Sequence, residues 1–161
     1  MFKSVQVMSA AKFAERGGAY APIPGTSCIS CRQTPGHPYG DDYPFRPDTQ
    51  EFITLHFDDC IPGKEWFDKY PGAKPFTEDQ ASKVLDFIEA TLARGEQNII
   101  VHCSAGISRS GAISSFIVDN FTEMNYQEWK QSNASWIQPN EYVYSLLRRE
   151  LYKRKGIEID G

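Results

Sequence analysis

The sequence predicts an α/β fold in which a central, mostly parallel twisted sheet is flanked by helices. Short apolar runs typical of strands alternate with longer segments of helical periodicity. Turns rich in glycine, proline and polar residues separate these segments. The 161 residues suit a single domain over 1–161, which is large enough to bury one substantial core.

The first half of the chain predicts three strands and one helix. Strands are expected over 3–8, 26–32 and 51–57, and Ser9 is a suitable N-cap for a helix over 10–16. The segment 33–50 is rich in proline, glycine and aromatic residues, which favours a long loop between two strands. Such a loop is either functional or a tolerated surface insertion.

The second half predicts a fourth strand and four helices. Thr77 and Gln80 form a capping-box pattern before an amphipathic helix that ends near Gly95. A short buried strand at 98–101 precedes a segment, 110–121, that is too apolar for a surface helix and should be central. A weaker helix is expected over 126–132, and a stronger, last helix over 141–154. The last carries basic residues, for which a solvated face is favoured over an anionic partner: Arg148, Arg149, Lys153, Arg154 and Lys155.

Composition excludes several classes of protein. The apolar fraction is 40%, the charged fraction 24% and the net charge −4, so neither nucleic-acid binding nor binding to anionic membranes is indicated. No long apolar stretch and no signal-peptide core are present, which predicts a cytoplasmic location. We expect a monomer without a cofactor or metal.

The four cysteines are expected to be thiols. Cys28 and Cys31 form a Cys-x-x-Cys pattern, which occurs in metal and redox sites. No second such pair is present, and residues three apart on a strand point to opposite faces. Two buried strand residues are therefore the favoured interpretation.

The stretch from Val101 to Ala112 predicts an anion site with a nucleophile in its floor. Cys103 follows an apolar strand and Arg109 lies at the start of a helix. Backbone N–H groups in such a turn, together with the positive end of the helix dipole, favour an anion and would favour thiolate at Cys103. Arg109 offers a planar fork that matches two phosphate oxygens, and Gly106 allows a tight turn close to a ligand.

Two carboxylates, Asp58 and Asp59, follow the third predicted strand. Ligands bind at the carboxyl ends of the strands in parallel α/β sheets. The pair should therefore lie at the same edge of the sheet as the cysteine loop.

Residues 102–110 resemble the His-Cys-x5-Arg-Ser/Thr signature of cysteine-dependent protein tyrosine phosphatases. The resemblance implies that Cys103 is the nucleophile, that Arg109 clamps the phosphate and that Ser110 stabilises the leaving thiolate. It also implies that His102 orients the loop and tunes the thiol. Substrate phosphate would be held by the loop residues Ser104, Ala105, Gly106, Ile107, Ser108 and Arg109.

Two further segments resemble compact dual-specificity phosphatases. The run from Phe57 to Pro62 is similar to their general-acid loop, which implies that Asp59 is the acid and that Asp58 is supporting or structural. The run Ile137-Gln138-Pro139-Asn140 is similar to the Ile-x-Pro-Asn turn that opens their last helix. There the asparagine braces the catalytic loop. A plain N-cap at Asn140 has the same sequence pattern, and one side chain can serve both roles.

The resemblance implies hydrolysis of phosphotyrosine and phosphoserine/threonine in proteins or peptides through a phosphocysteine. The rate should fall at both acidic and alkaline pH, because Cys103 must be ionised while Asp59 is protonated. One alternative is a pseudophosphatase that binds phosphate without turnover. The other is a rhodanese-like or arsenate-reducing thiol enzyme, which would depend on a second cysteine.

Overall fold

The computed structural model describes residues 1–19, 21–35, 46–64 and 72–157. Most of the predicted 33–50 loop, namely 36–45, lies outside the described residues. Four strands and five helices form the described part of the fold. In chain order they are β1 (Ser4–Ser9), α1 (Ala10–Glu15), β2 (Ser27–Arg32), β3 (Phe52–His56), α2 (Glu78–Ala93), β4 (Asn98–Cys103), α3 (Arg109–Phe121), α4 (Tyr126–Asn133) and α5 (Glu141–Arg154).

The four strands form one sheet in the order β1-β4-β2-β3, and every pair is parallel. The predicted α/β fold with a mostly parallel sheet is therefore confirmed. Because all strands run in one direction, their carboxyl ends meet at one edge of the sheet. At that edge lie the start of α1 after Ser9 and the loops that follow Arg32, His56 and Cys103.

The two faces of the sheet are covered unequally. One face carries the main core, where α3 packs on β1 and β4 and also contacts α5, which in turn contacts α2. The other face carries a smaller cluster that includes Phe13 of α1. Residues of α3 from Arg109 to Val118 are buried, so the predicted central helix is confirmed.

Local sequence signals set several helix ends. The Ser9 hydroxyl accepts a hydrogen bond from the Lys12 N–H, and both bonds of the predicted capping box between Thr77 and Gln80 are present. The basic face expected on α5 is only partly solvated. Arg154 forms ion pairs with Asp86, Glu89 and Glu150 and thus ties α5 to α2.

No helix in the described ranges is both long and apolar enough to cross a membrane.

Candidate active site

The loop from Cys103 to Arg109 joins the end of β4 to the start of α3 and lies at the carboxyl edge of the sheet. Its shape depends on Gly106, which has φ of +73°. A Cβ at this position would lie 2.5 Å from the carbonyl carbon of Met8 and from the backbone nitrogen of Ser9. Only glycine therefore lets the loop rest directly on the end of β1.

The Cys103 sulfur is buried at the base of this loop, with 2% of the residue exposed. The Gly106 N–H donates a hydrogen bond to Sγ over 3.2 Å, and the Ser110 Oγ lies 3.0 Å from the same sulfur. With the sulfur as a thiolate, the hydroxyl is the donor of the second bond. Two donors are thus directed at Sγ, where they would stabilise a negative charge.

Arg109 is held before any ligand binds. Its residue is 4% exposed, its Nη1 donates to the Phe57 carbonyl oxygen over 3.0 Å, and its Nη2 donates to the Ser104 Oγ over 3.1 Å. A guanidinium has five N–H donors, so donors remain for an anion in the loop. The bond to Phe57 also fixes the arginine beside the two carboxylates that follow β3.

Asp58 is a buried carboxylate that fastens the surrounding loops. It accepts hydrogen bonds from the Thr34 N–H over 3.0 Å, the Thr34 hydroxyl over 2.8 Å and the Lys74 N–H over 2.7 Å. Its own N–H donates to the Lys74 carbonyl. With 3% of the residue exposed, Asp58 is placed to support the loop rather than to meet a substrate.

Asp59 is exposed at the rim of the cysteine loop. Its Oδ1 accepts one hydrogen bond from the Ser108 hydroxyl over 2.8 Å and another from the Asn140 Nδ2 over 2.9 Å. Ser108 is the N-cap residue of α3 but forms no side-chain cap bond, so its hydroxyl serves the carboxylate instead. The structure therefore brings Asp59 and the Cys103–Arg109 loop together.

Asn140 combines the two arrangements that the sequence left open. Its Oδ1 accepts from the Tyr142 and Val143 N–H groups and caps α5, while its Nδ2 holds Asp59 and the Cys60 carbonyl. The backbone of the same turn braces the loop, since the N–H groups of residues 138 and 140 donate to the carbonyls of residues 107 and 108. One turn thus positions the loop rim, the carboxylate and α5.

His102 precedes the sulfur and is packed on the sheet face covered by α1. Its ring stacks on Phe13, with centroids 4.2 Å apart and planes 20° apart. The residue is 7% exposed. This packing fits the predicted orienting role at the end of β4.

Two supports of the loop were not predicted from the sequence. The Trp136 Nε1 donates to the Gly106 carbonyl over 3.0 Å, although 51% of the tryptophan is exposed. A Cβ on Gly111 would lie 3.2 Å from the Ile137 Cβ, so α3 approaches the bracing turn closely. Neither residue carries a sequence signal for its contact, because each depends on a partner distant in the chain.

The remaining three thiols are buried. Cys28 and Cys31 belong to clusters on opposite faces of the sheet, as their spacing on a strand predicts. Burial raises the pKa of the Cys28 thiol above its ordinary value and does the same at Cys31, where the nearby Cys103 adds to the effect. Burial, followed by the charges of Asp58 and Asp59, raises the pKa of Cys60 to about 11.

Acidic, histidine and cysteine side chains of the described residues form no cluster of three or more that could hold a metal ion.

A family model described as protein-tyrosine phosphatase matches residues 63–127. The match includes the Cys103–Arg109 loop but not the Asp58–Asp59 pair. No curated protein sequence matches the chain.

Several solved structures share the fold. The human tyrosine phosphatase-like serine/threonine/tyrosine-interacting protein is 20% identical with a TM-score of 0.51, and the alignment covers 92% of this chain and 87% of that one. The PTP-2 phosphatase of Cydia pomonella is 15% identical with a TM-score of 0.53, covering 91% and 85%. DUSP15 is 19% identical with a TM-score of 0.51, covering 92% and 82%.

Proposed function

We propose that this chain, a member of the cysteine-based protein tyrosine phosphatase superfamily, hydrolyses phosphotyrosine and phosphoserine/threonine monoesters in proteins or peptides. One observation carries the proposal. The Asp59 carboxylate, which comes from the loop after β3, is hydrogen bonded over 2.8 Å to Ser108 of the loop that holds Cys103. A nucleophile, an anion cradle and a proton donor thus share one edge of the sheet.

In the first step, the Cys103 thiolate attacks phosphorus in line with the ester oxygen. The loop N–H groups and Arg109 hold the three equatorial oxygens, whose charge grows in the transition state. Asp59 transfers a proton to the departing alcohol or phenol oxygen. Oδ1 is occupied by Ser108 and Asn140, so Oδ2 is the oxygen available for the proton. The products are a phosphocysteine, a free hydroxyl compound and an ionised Asp59.

In the second step, the ionised Asp59 takes a proton from a water molecule, and the water oxygen attacks phosphorus. The phosphorus–sulfur bond breaks and the electron pair returns to Cys103. The Ser110 hydroxyl, 3.0 Å from Sγ, donates to the departing thiolate. Inorganic phosphate leaves, and both Cys103 and Asp59 regain their starting states.

The residues of the cysteine loop favour phosphorylated proteins as substrates. Ser104, Ala105, Ile107 and Ser108 bring no charge and no second base to the anion. This composition argues against phosphoinositides and RNA triphosphates as substrates. Phosphatases that act on them tend to carry basic residues, or histidine and asparagine, within this loop. A monomer acting on phosphorylated protein without a cofactor, nucleic acid or membrane remains our proposal.

A pseudophosphatase is the main alternative, since one of the similar folds is a phosphatase-like interacting protein. The complete set of Cys103, Arg109, Ser110 and Asp59 argues for turnover. A thiol relay like that of rhodaneses or arsenate reductases needs a second reactive cysteine. The burial and raised pKa of Cys28, Cys31 and Cys60 argue against that relay.

Hydrolysis of p-nitrophenyl phosphate in the presence of a chelator tests the proposal. We expect turnover by the native chain and none above background for Cys103→Ser, because a serine hydroxyl is a far weaker nucleophile than a thiolate. Circular dichroism of the variant controls for folding. An inactive native chain that still binds phosphopeptides would support the pseudophosphatase, and an active Cys103→Ser variant would remove the nucleophile.

A further inference from the structure

A groove of about 770 Å³ runs along β1 and reaches the cysteine loop. One wall is β1 itself, with Lys12 and Arg16 of the following segment, and the other includes Trp129 and Trp136. Ala105, which is exposed on the cysteine loop, also lines it. The groove is therefore continuous with the proposed catalytic loop.

β1 lies at one end of the sheet and pairs only with β4 among the described strands. The Ser4 N–H donates to the Gln97 carbonyl on the β4 side, whereas the Val5 carbonyl accepts from the Trp129 Nε1 on the other side. Backbone groups alternate in direction along a strand. The N–H and C=O of Val7 are therefore directed, like the Val5 carbonyl, away from β4 and into the groove.

Charge distinguishes the groove from the rest of the molecule. Its lining includes the cations Lys3, Lys12 and Arg16 and no carboxylate, in a chain whose net charge is −4. Within the described residues, the carboxylate that pairs with one of these cations is that of Glu15, 3.9 Å from Lys12, and both of those side chains are more than 60% exposed. The groove therefore suits an acidic occupant.

We infer that the peptide flanking the phosphorylated residue of a substrate binds this groove in an extended form, with its backbone on Val7 of β1 and its acidic side chains directed to Lys3, Lys12 and Arg16. The inference rests on the proposed phosphatase function and names the recognition mode of its substrate. Pairing with the Val7 backbone supplies affinity that is independent of sequence, and the cations add a preference for acidic flanks. Val7 is the pairing residue because the Val5 carbonyl is bonded to Trp129 and the cysteine loop lies against Ser9.

Three phosphotyrosine peptides of equal length test the charge preference. One carries acidic residues only before the phosphotyrosine, one carries them only after it, and one is neutral. We expect one of the two acidic peptides to have a kcat/KM about tenfold above that of the neutral peptide. A tenfold difference is what the interaction energies of two or three exposed charge pairs would give. The preferred side reports the direction in which the peptide runs along β1.

The variant Lys3→Glu/Lys12→Glu should raise KM for the preferred peptide about tenfold and leave turnover of p-nitrophenyl phosphate unchanged. The matched control is Lys153→Glu/Lys155→Glu, which makes the same charge change on exposed residues at the end of α5. Equal effects of the two variants would mean that the preference for acidic peptides depends only on the net charge of the protein. The proposed binding of the peptide in the groove would then be wrong.

N-methylation of the peptide, one amide at a time, tests the backbone contact without a change to the protein. We expect KM to rise at one amide, the donor to the Val7 carbonyl, and to change little at its neighbours. Equal KM values for all the methylated peptides would overturn the backbone contact even if the charge preference is found. A β1-mediated dimer, detected by sedimentation equilibrium and not dissociated by the preferred peptide, would assign the edge to a second copy and also overturn it.

The outcomes are separable from the proposed function. If the native chain does not hydrolyse p-nitrophenyl phosphate, the proposed phosphatase activity is refuted. Intact turnover with no preference among the three peptides refutes only the groove.

Discussion

Asp58 and Asp59 are adjacent carboxylates with opposite surroundings, so their amide variants should fail in different ways. Asp58→Asn places an NH2 group against donors from Thr34 and Lys74 and should lower the free energy of unfolding by about 1–3 kcal/mol. Asp59→Asn removes the proposed proton donor at an exposed rim. It should lower kcat by about 10²–10⁴ with little change in stability.

Urea unfolding and a series of aryl phosphates with leaving groups of increasing basicity measure the two effects. The loss at Asp59→Asn should grow as the leaving group becomes more basic, because a poor leaving group needs the proton more. Equal leaving-group dependence in the two variants would show that the assignment of the acid is wrong.

Gly106 has both a positive φ and a backbone neighbour, and these two constraints can be separated. Gly106→Ala should be strained by φ of +73° and should also push the loop off Met8 and Ser9, so that phosphatase activity is lost. Gly95→Ala is the matched control, since φ there is +82° but nothing lies within 4 Å of the added Cβ. The control should lose about 1–2 kcal/mol of stability and keep its kcat.

Thermal unfolding and kcat on p-nitrophenyl phosphate, measured for both glycine variants, test this contrast. A Gly106→Ala variant as active as Gly95→Ala would mean that the contact with β1 does not set the loop geometry.

At the scale of elements, the sequence predicted what depends on neighbours in the chain. The Ser9 cap, the capping box at Thr77 and the burial of α3 follow from residues a few positions apart. The strand order and the link from Arg154 to α2 depend on pairings between distant segments. Local patterns contain no information about such pairings, so these features were available only from the structure.

Asn140 couples two elements, because one side-chain atom caps α5 and the other holds Asp59. Asn140→Ser keeps an oxygen for the cap but loses the amide donor. The buried Cys60 carbonyl also loses its donor, so we expect stability to fall by about 1 kcal/mol and kcat for basic leaving groups to fall three- to tenfold, from about 1 kcal/mol of lost positioning.

Asn140→Ala removes both bonds and serves as the reference for Asn140→Ser. It should lose about 1 kcal/mol more stability than the serine variant, because the cap is lost as well, and should have the same fall in kcat. If the serine variant retained native kcat across the leaving-group series, Asn140 would be a helix cap alone.

At the scale of the whole molecule, the local part of the site was more predictable than its supports. Cys103, Gly106 and Arg109 occupy one short run, so their closeness in space follows from the sequence. Trp136, Thr34 and Lys74 approach that run from distant parts of the chain. Their contacts arise from backbone geometry that no residue type encodes.

The buried thiols of Cys28, Cys31 and Cys60 should make the free energy of unfolding fall as the pH becomes alkaline. Their pKa values are raised in the folded state, chiefly by burial, to about 11 for Cys60 and above 9.0 for the other two. Between pH 9 and 11 the unfolded chain releases protons that the folded chain keeps. Stability is therefore complete below pH 9 and falls above it, by up to about 1.4 kcal/mol per pH unit for each thiol.

Urea unfolding under reducing conditions from pH 7 to 11 measures this slope, with a Cys28→Ala/Cys31→Ala/Cys60→Ala variant as the control. In the variant, the free energy of unfolding should fall less steeply with pH. The slope that remains near pH 11 is assigned in part to Tyr144, whose pKa is also raised by burial and by Asp119. The same variant should retain kcat on p-nitrophenyl phosphate, because Cys103 acts without a second thiol. An unchanged slope would contradict the raised pKa values, and lost turnover in a folded variant would favour the thiol relay over the phosphatase.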